Sequence, residues 1–149
     1  QLFLGMFDWE EGPNLALART LIMCGTMRKD GKHFILAVGG QNGTAITSQD
    51  CEYMELPTIK WEKCTNLPIG LCGGQLIEDP ETGDALLLGG FNNGTGSKRT
   101  IYRLSHVNGQ WILQNQTLKA GRSSFAAMVV PTGILNCDKS RYSSKHDEL

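Results

Sequence analysis

The sequence has little of what usually carries chemistry. Its three histidines, His33, His106 and His146, are too scattered to share a metal ion. It has no Cys-x-x-Cys, so thiol exchange and zinc-knuckle binding lack their spacing. Gly-x-Ser-x-Gly and phosphate-loop patterns are also missing. Clean apolar runs such as Ile35 to Val38 have only the length of a strand. A membrane-spanning helix needs about 20 apolar residues. The formal net charge is −1, which offers no electrostatic case for nucleic acid or an anionic bilayer. No segment holds a convincing helical period. The carboxylates Glu78, Asp79, Glu81 and Asp84 gather at one turn, but their spacing fits no calcium loop. They read as a charged surface turn, and the histidines as solvated surface.

What is present is glycine and repetition. Eighteen glycines in 149 residues favour many turns and short strands. The apolar content, 40%, suffices for one core. The chain starts at Gln1 rather than Met, which reads as a mature or truncated product. Two apolar runs end in paired glycines, Ile35–Gly40 and Ala85–Gly90, 50 residues apart. Trp61 and Trp111 each lie 21 residues after the second glycine, and Trp9 precedes Trp61 by 52. Each period reads as four short strands. In the first they are Thr20–Thr26, Phe34–Val38, Cys51–Glu55 and Trp61–Cys64. In the second they are Gly74–Glu78, Ala85–Leu88, Ile101–Leu104 and Trp111–Leu118. The dipeptide Asp30-Gly31 between apolar runs is a strong hairpin signal. The stretches 41–50 and 91–99 read as polar loops. A further inner strand is expected over Ser123–Pro131.

A strand ending in Gly-Gly, then a Tyr-bearing strand, then Trp after a turn, at about 50 residues, resembles the kelch repeat, over roughly residues 9–131. The resemblance implies one four-stranded blade of a β-propeller per repeat. The expected fold is all-β: two four-stranded antiparallel kelch blades plus partial flanking blades of an incomplete β-propeller. The expected division is the end of a preceding blade (1–15), a blade (16–66), a second blade (67–119), an inner strand of a further or ring-closing blade (120–131) and a polar tail (132–149). Propellers have 4–8 blades, so the chain is expected to be a piece of a larger ring or to close one by association. The Gly-Gly pairs are expected at positive φ where blades crowd, and Trp9, Trp61 and Trp111 between blades. The family's Tyr position matches Tyr102, and in the first repeat falls on Met54. The family's Arg at the start of the inner strand matches Arg19 and Arg122. In the kelch hairpin the Tyr position faces the Trp. Carried onto Met54 and Trp61, that pairing sets Cys51 opposite Cys64 and implies a disulfide between them. Cys24 and Cys72 are expected in the core, and Cys137 is left for a segment outside this sequence.

The compartment has its own signals. The chain ends in His146-Asp147-Glu148-Leu149, which matches an endoplasmic reticulum retrieval address. Three sequons, at Asn42, Asn93 and Asn115, are candidate glycosylation sites. The first two read as falling at matching places just after Gly-Gly. The Cys51–Cys64 bond suits an oxidising lumen. The same superfamily includes a copper-radical galactose oxidase, but Tyr53, Tyr102 and Tyr142 do not match its copper pattern. The expected function is a non-catalytic module that binds a protein partner through its loops and needs no cofactor or metal. Arg19, Asn42, Ser48, Asn92, Lys98 and Arg122 are the candidate contact residues. The alternative is a luminal protein that binds or modifies carbohydrate.

Overall fold

A computed structural model describes residues 11–58 and 60–131. Trp9, Cys137, Tyr142 and the retrieval tetrapeptide lie outside the described residues. The first sheet joins β1 (Met23–Lys29), β2 (Lys32–Val38), β3 (Cys51–Leu56) and β4 (Trp61–Lys63), hydrogen-bonded in chain order. The second joins β5 (Gln75–Glu78), β6 (Ala85–Leu88), β9 (Thr100–Leu104) and β10 (Trp111–Thr117), again in chain order. All the pairings are antiparallel. Between β6 and β9 a small ribbon pairs β7 (Phe91–Asn92) with β8 (Gly96–Ser97), where the sequence suggests only loop. Its two-residue strands are below the length at which alternation is readable.

Local chemistry explains each hairpin. Asp30 and Gly31 have φ of 50° and 74°, and Lys29 pairs with Lys32. Two consecutive positive φ values make the turn whose twist suits a two-residue hairpin. β1 starts at Met23 rather than Thr20, because Thr20 instead bridges to Gln41. The disulfide between Cys51 and Cys64 is present, with Cα atoms 5.1 Å apart. Met54 faces Trp61, as the resemblance implied. The rule behind that pairing fails in the second sheet, however, where Trp111 faces Leu104 and Tyr102 faces Leu113. The equivalent of Tyr102 is Glu52.

The repetition extends to individual hydrogen bonds. Val38 pairs with Cys51, and Leu88 with Ile101, 50 residues on. Gly39 N–H donates to Asp50 O at 2.7 Å, and Gly89 N–H to Thr100 O at 2.9 Å. Gly40 N–H reaches forward to Leu71 O, and Gly90 N–H to Arg122 O, each at 2.8 Å. Leu71 N–H donates to Ser48 O at 3.0 Å, and Arg122 N–H to Lys98 O at 3.0 Å. Leu21, Gly73 and Ser124 share φ near the left-handed region, at 53°, 61° and 53°. They are also linked in series: Gly73 N–H donates to Leu21 O, and Ser124 N–H to Gly73 O. The same lead-in geometry is therefore built three times, at residues 19–21, 71–73 and 122–124. After the third, residues 125–131 form no ladder, contrary to the inner strand expected there. An inner strand pairs with the second strand of its own sheet, and none follows among the described residues.

The core lies between the two sheets. Alternation on β2 turns Phe34, Leu36 and Val38 to the second sheet, where Leu76, Leu87 and Leu104 meet them. Leu36, Leu71 and Leu87 are fully buried, and each such side chain stabilises by about 1.5–3 kcal/mol. Of the free cysteines, Cys72 is buried as expected. Cys24 is exposed, because it alternates with the buried Met23 and points off the core face. Burial raises the thiol pKa of Cys72 above its usual value. The tryptophans act as inter-unit pegs. Trp111 Nε1 donates to Thr65 O at 2.9 Å, and Trp61 Nε1 to Pro13 O at 3.0 Å, one repeat earlier.

A side chain on Gly39 would place Cβ 2.2 Å from the Leu71 carbonyl oxygen, at φ +60°. Gly39→Ala should therefore destabilise by about 3 kcal/mol or more, since strain and backbone overlap add. Nothing lies within 4 Å of the corresponding atom at Gly43, so Gly43→Ala is the near-neutral control. Denaturant midpoints of the two variants provide the check.

Candidate interaction face

Each Gly-Gly pair turns the chain out of its second strand into a polar loop at the same end of its sheet. Asn42 and Asn92 organise these loops from equivalent positions. Asn42 Oδ1 accepts from Thr44 N at 3.0 Å, Thr44 Oγ1 at 2.7 Å and Ile46 N at 3.0 Å. Asn92 Oδ1 accepts from Gly94 N and Thr95 Oγ1, both at 3.0 Å. Such local bonds let a short amide side chain stand in for backbone partners. The equivalent of Asn42 is thus Asn92, not the sequon residue Asn93. The two sequons are one residue out of phase, which corrects the expected match. Asn93 does something else: it bridges the units, accepting from Thr47 N at 3.1 Å and donating to Ala45 O at 2.9 Å. Asn115 is exposed on β10, where the ladder to β9 is irregular between Leu113 and Thr117.

Four of the six candidate contact residues, Arg19, Asn42, Ser48 and Asn92, line one cavity of about 510 Å³. Lys98 and Arg122 sit one repeat further on, joined through the Arg122 N–H to Lys98 O bond. The cavity's polar side chains mostly hold the loops. Ser48 Oγ bonds the Asp50 carboxylate and accepts from Asp50 N at 2.9 Å. Asn92 Nδ2 donates to Gly70 O at 2.7 Å. Gln49, an exposed residue, donates from Nε2 to Pro68 O at 3.1 Å, and its side-chain oxygen has no bond among the described residues. Asn66 is exposed on the cavity wall beside Ile46, which is 60% exposed. Gln49, Asn66 and Ile46 are therefore available to a partner, and none was singled out from sequence. Period-matching picks the residues that repeat, and those are the scaffold.

Arg19 is the most enclosed of the six: its side chain is only 1% exposed and is engaged within its own unit. One guanidinium nitrogen donates to Gly39 O at 2.7 Å and Asp50 O at 3.1 Å, while the other pairs with Glu52, itself 4% exposed. Glu52 also accepts from Ala16 N at 2.8 Å. In the second unit both partners are replaced together, by the buried Leu71 and Tyr102. Burial raises the Tyr102 phenol pKa.

A second cavity, about 690 Å³, opens between the outer parts of the sheets against Met27, Phe34, Tyr53 and Leu104. Phe34 and Tyr53 meet edge-on at 5.8 Å. The Tyr53 hydroxyl donates to Glu62 at 2.8 Å, and this bond is the main reason its pKa is raised. The cavity is invisible in sequence because its walls come from two repeats. The turn carboxylates also depart from expectation. Asp84 is buried and accepts from both His106 N at 2.7 Å and His106 Nδ1 at 2.5 Å. Arg103 pairs with Asp79 at 3.2 Å and with Asp84 at 3.5 Å. Burial works against ionisation of Asp79, but bonds from Glu81 and Thr82, with Arg103 nearby, hold its pKa below the usual value. So this cluster is a structural ion network rather than a solvated turn. Among the described residues, no three His, Cys, Asp or Glu side chains gather in a way that could hold a metal ion.

Against models of known protein families and against curated protein sequences, the chain matches none.

Removing one partner of a buried pair leaves the other charge unsatisfied, at a cost of about 3–5 kcal/mol. Arg19→Leu and Glu52→Tyr should each destabilise on that scale. The double variant, which copies the Leu71–Tyr102 pair, should recover most of the loss. Urea unfolding of the singles and the double gives the coupling energy directly.

Proposed function

We propose that the chain supplies consecutive blades of a kelch-type β-propeller that serves as a non-catalytic protein-binding module in the lumen of the secretory pathway. The observation that carries this reading is the lead-in geometry repeated at residues 19–21, 71–73 and 122–124. A meander that restarts every ~50 residues, each time tied to its predecessor, is the arrangement a propeller needs. The third lead-in supports further blades beyond the two sheets.

The loop end favours a protein ligand. Its cavity joins outward amide groups to the exposed Leu17 and Ile46, at 50% and 60%, a mixture suited to peptide backbone and small apolar side chains. The lining residues include no aromatic ring on which a sugar could stack. That weighs against the carbohydrate-directed alternative.

The compartment is proposed on the terminal tetrapeptide, the sequons and the disulfide, which is compatible with an oxidising environment. Asn42 and Asn115 are exposed, whereas the Asn93 amide nitrogen donates to Ala45 O, which makes Asn42 and Asn115 the preferred acceptors of a glycan.

In secretory expression the chain should be retained and sensitive to endoglycosidase. Asn42→Gln should remove one glycan, and loss of residues 146–149 should release the protein to the medium. Proximity labelling from the retained protein should mark a luminal protein whose labelling survives glycosidase but drops in an Ile46→Asp, Asn66→Ala variant. Cytosolic residence with free Cys51 and Cys64 would overturn the compartment. Loop-dependent binding to glycans, with no protein partner, would overturn the module.

A further inference from the structure

Arg19 and Arg122 occupy the same place in successive lead-ins, but only Arg19 has its partners. Their shared place follows from backbone bonds. Arg122 O and N–H bond Gly90 and Lys98 as Leu71 bonds Gly40 and Ser48, and Leu71 is the repeat equivalent of Arg19. The two terminal nitrogens of the Arg19 guanidinium bond Gly39 O, Asp50 O and Glu52, all belonging to the unit that its own lead-in opens. Arg122 begins the third lead-in, which no sheet follows among the described residues, and it is exposed.

A second observation points the same way. Ser124 holds φ +53°, a left-handed conformation that an L-residue adopts only at a cost. In the first unit the same strain at Leu21 aims the chain into the β1 ladder. At Ser124 it aims residues 125–131, which pair with nothing described, while Met128 is 80% and Val129 44% exposed. Persistent strain without a local return is the mark of a prearranged segment. The face beside it is prepared too. Leu86, Leu88 and Ile101 are only half-buried, in the places where Leu36, Val38 and Cys51 of the first sheet are buried against the second.

We infer that residues 122–131 are a docking edge for a three-stranded sheet of this same repeat, whose third-from-centre strand offers a carboxylate to Arg122 as β3 offers Glu52 to Arg19. The proposal rests on the propeller reading and specifies the chemistry of the next blade. The docking strand adds antiparallel to residues 126–131, and its paired glycines and following strand present two carbonyls to the guanidinium. A second copy of the chain does not fit this role. Its Glu52 is already taken by Arg19, and its other sheet carries Tyr102 at that position.

The test uses the full chain with a second copy of residues 30–66 inserted after residue 132, which restores strands two to four behind the third lead-in. Amide exchange at residues 126–130 should slow by at least ~100-fold relative to the parent chain, as expected for a strand that joins a cooperative ladder. Arg122→Ala should reverse at least ~10-fold of that protection in the extended chain and change nothing in the parent. Arg122→Glu should be rescued by Arg at the inserted copy of Glu52. Protection that ignores Arg122 would overturn the carboxylate pairing while leaving the propeller reading intact. No protection at all would overturn both. Dimerisation of the parent chain abolished by Arg122→Ala would overturn the choice of occupant in favour of a second copy.

Discussion

The bond from the second glycine of each pair to the lead-in of the next unit is the constraint on which the other features depend. Gly40 N–H donates to Leu71 O, and a methyl group on Gly39 would collide with that same carbonyl. Where the carbonyl sits this close, no side chain fits and φ must be positive. Once it is in place, Leu71 is buried at the base of the wedge and β5 is brought alongside β1. There Gly25 admits Leu76: a Cβ at residue 25 would lie 2.5 Å from the Leu76 Cβ. The outer parts of the sheets are then free to diverge. The gap is bridged toward its rim by Arg28, whose N–H donates to Gly83 O at 2.9 Å and whose side chain bonds Glu78 and Pro80 O, and by Trp111 on Thr65. The larger cavity follows from a joint that is tight at one side and splayed at the other.

Much of this frame is readable from sequence because it is local or periodic. Asp30-Gly31 specifies its hairpin by conformation alone, and the Gly-Gly and Trp spacings locate both sheets. The Cys51–Cys64 bond was anticipated from the pairing of Met54 with Trp61, which the first sheet keeps, although in the second sheet Trp111 faces Leu104 rather than Tyr102. What cannot be read is direction. A periodic arginine looks like a shared binding element until its surroundings show Arg19 turned onto Glu52. Two sequons look equivalent until hydrogen bonds set Asn42 beside Asn92. His106 and Asp84 are 22 residues apart on separate hairpins, and only the β6–β9 pairing brings them together.

The two units also show how a repeat tolerates change. Position by position, Arg19 and Glu52 become Leu71 and Tyr102, while Met27, Phe34 and Tyr53 become Asp79, Asp84 and Arg103. Polar and apolar character have been exchanged between the two sites. The first unit is ionic toward its predecessor and apolar toward the second unit. The second unit is apolar toward the first and, at its outer end, ionic on its far face. In each ionic set the charges are paired, although Arg19 Nε and Arg103 Nε stay buried without a hydrogen-bond partner, and a half-replaced buried pair costs more than either complete version.

This exchange bears on why the disulfide lies where it does. β4 is an edge strand of only three residues, joined to β3 by three cross-strand pairs. So short an edge gains little from its own ladder. Yet it must hold Trp61 and the segment through Thr65 on which Trp111 rests. Cross-linking residues 13 apart removes unfolded-chain freedom worth about 3 kcal/mol in the chain-entropy account. In the second sheet Ile101 stands where Cys51 stands, and β10, at seven residues, pairs with β9 on both sides of an irregularity and is anchored by the buried Trp111. The covalent bond therefore reinforces the shorter of the two outer strands, and an oxidising compartment becomes a condition for the second sheet's support as well as for the first sheet's edge.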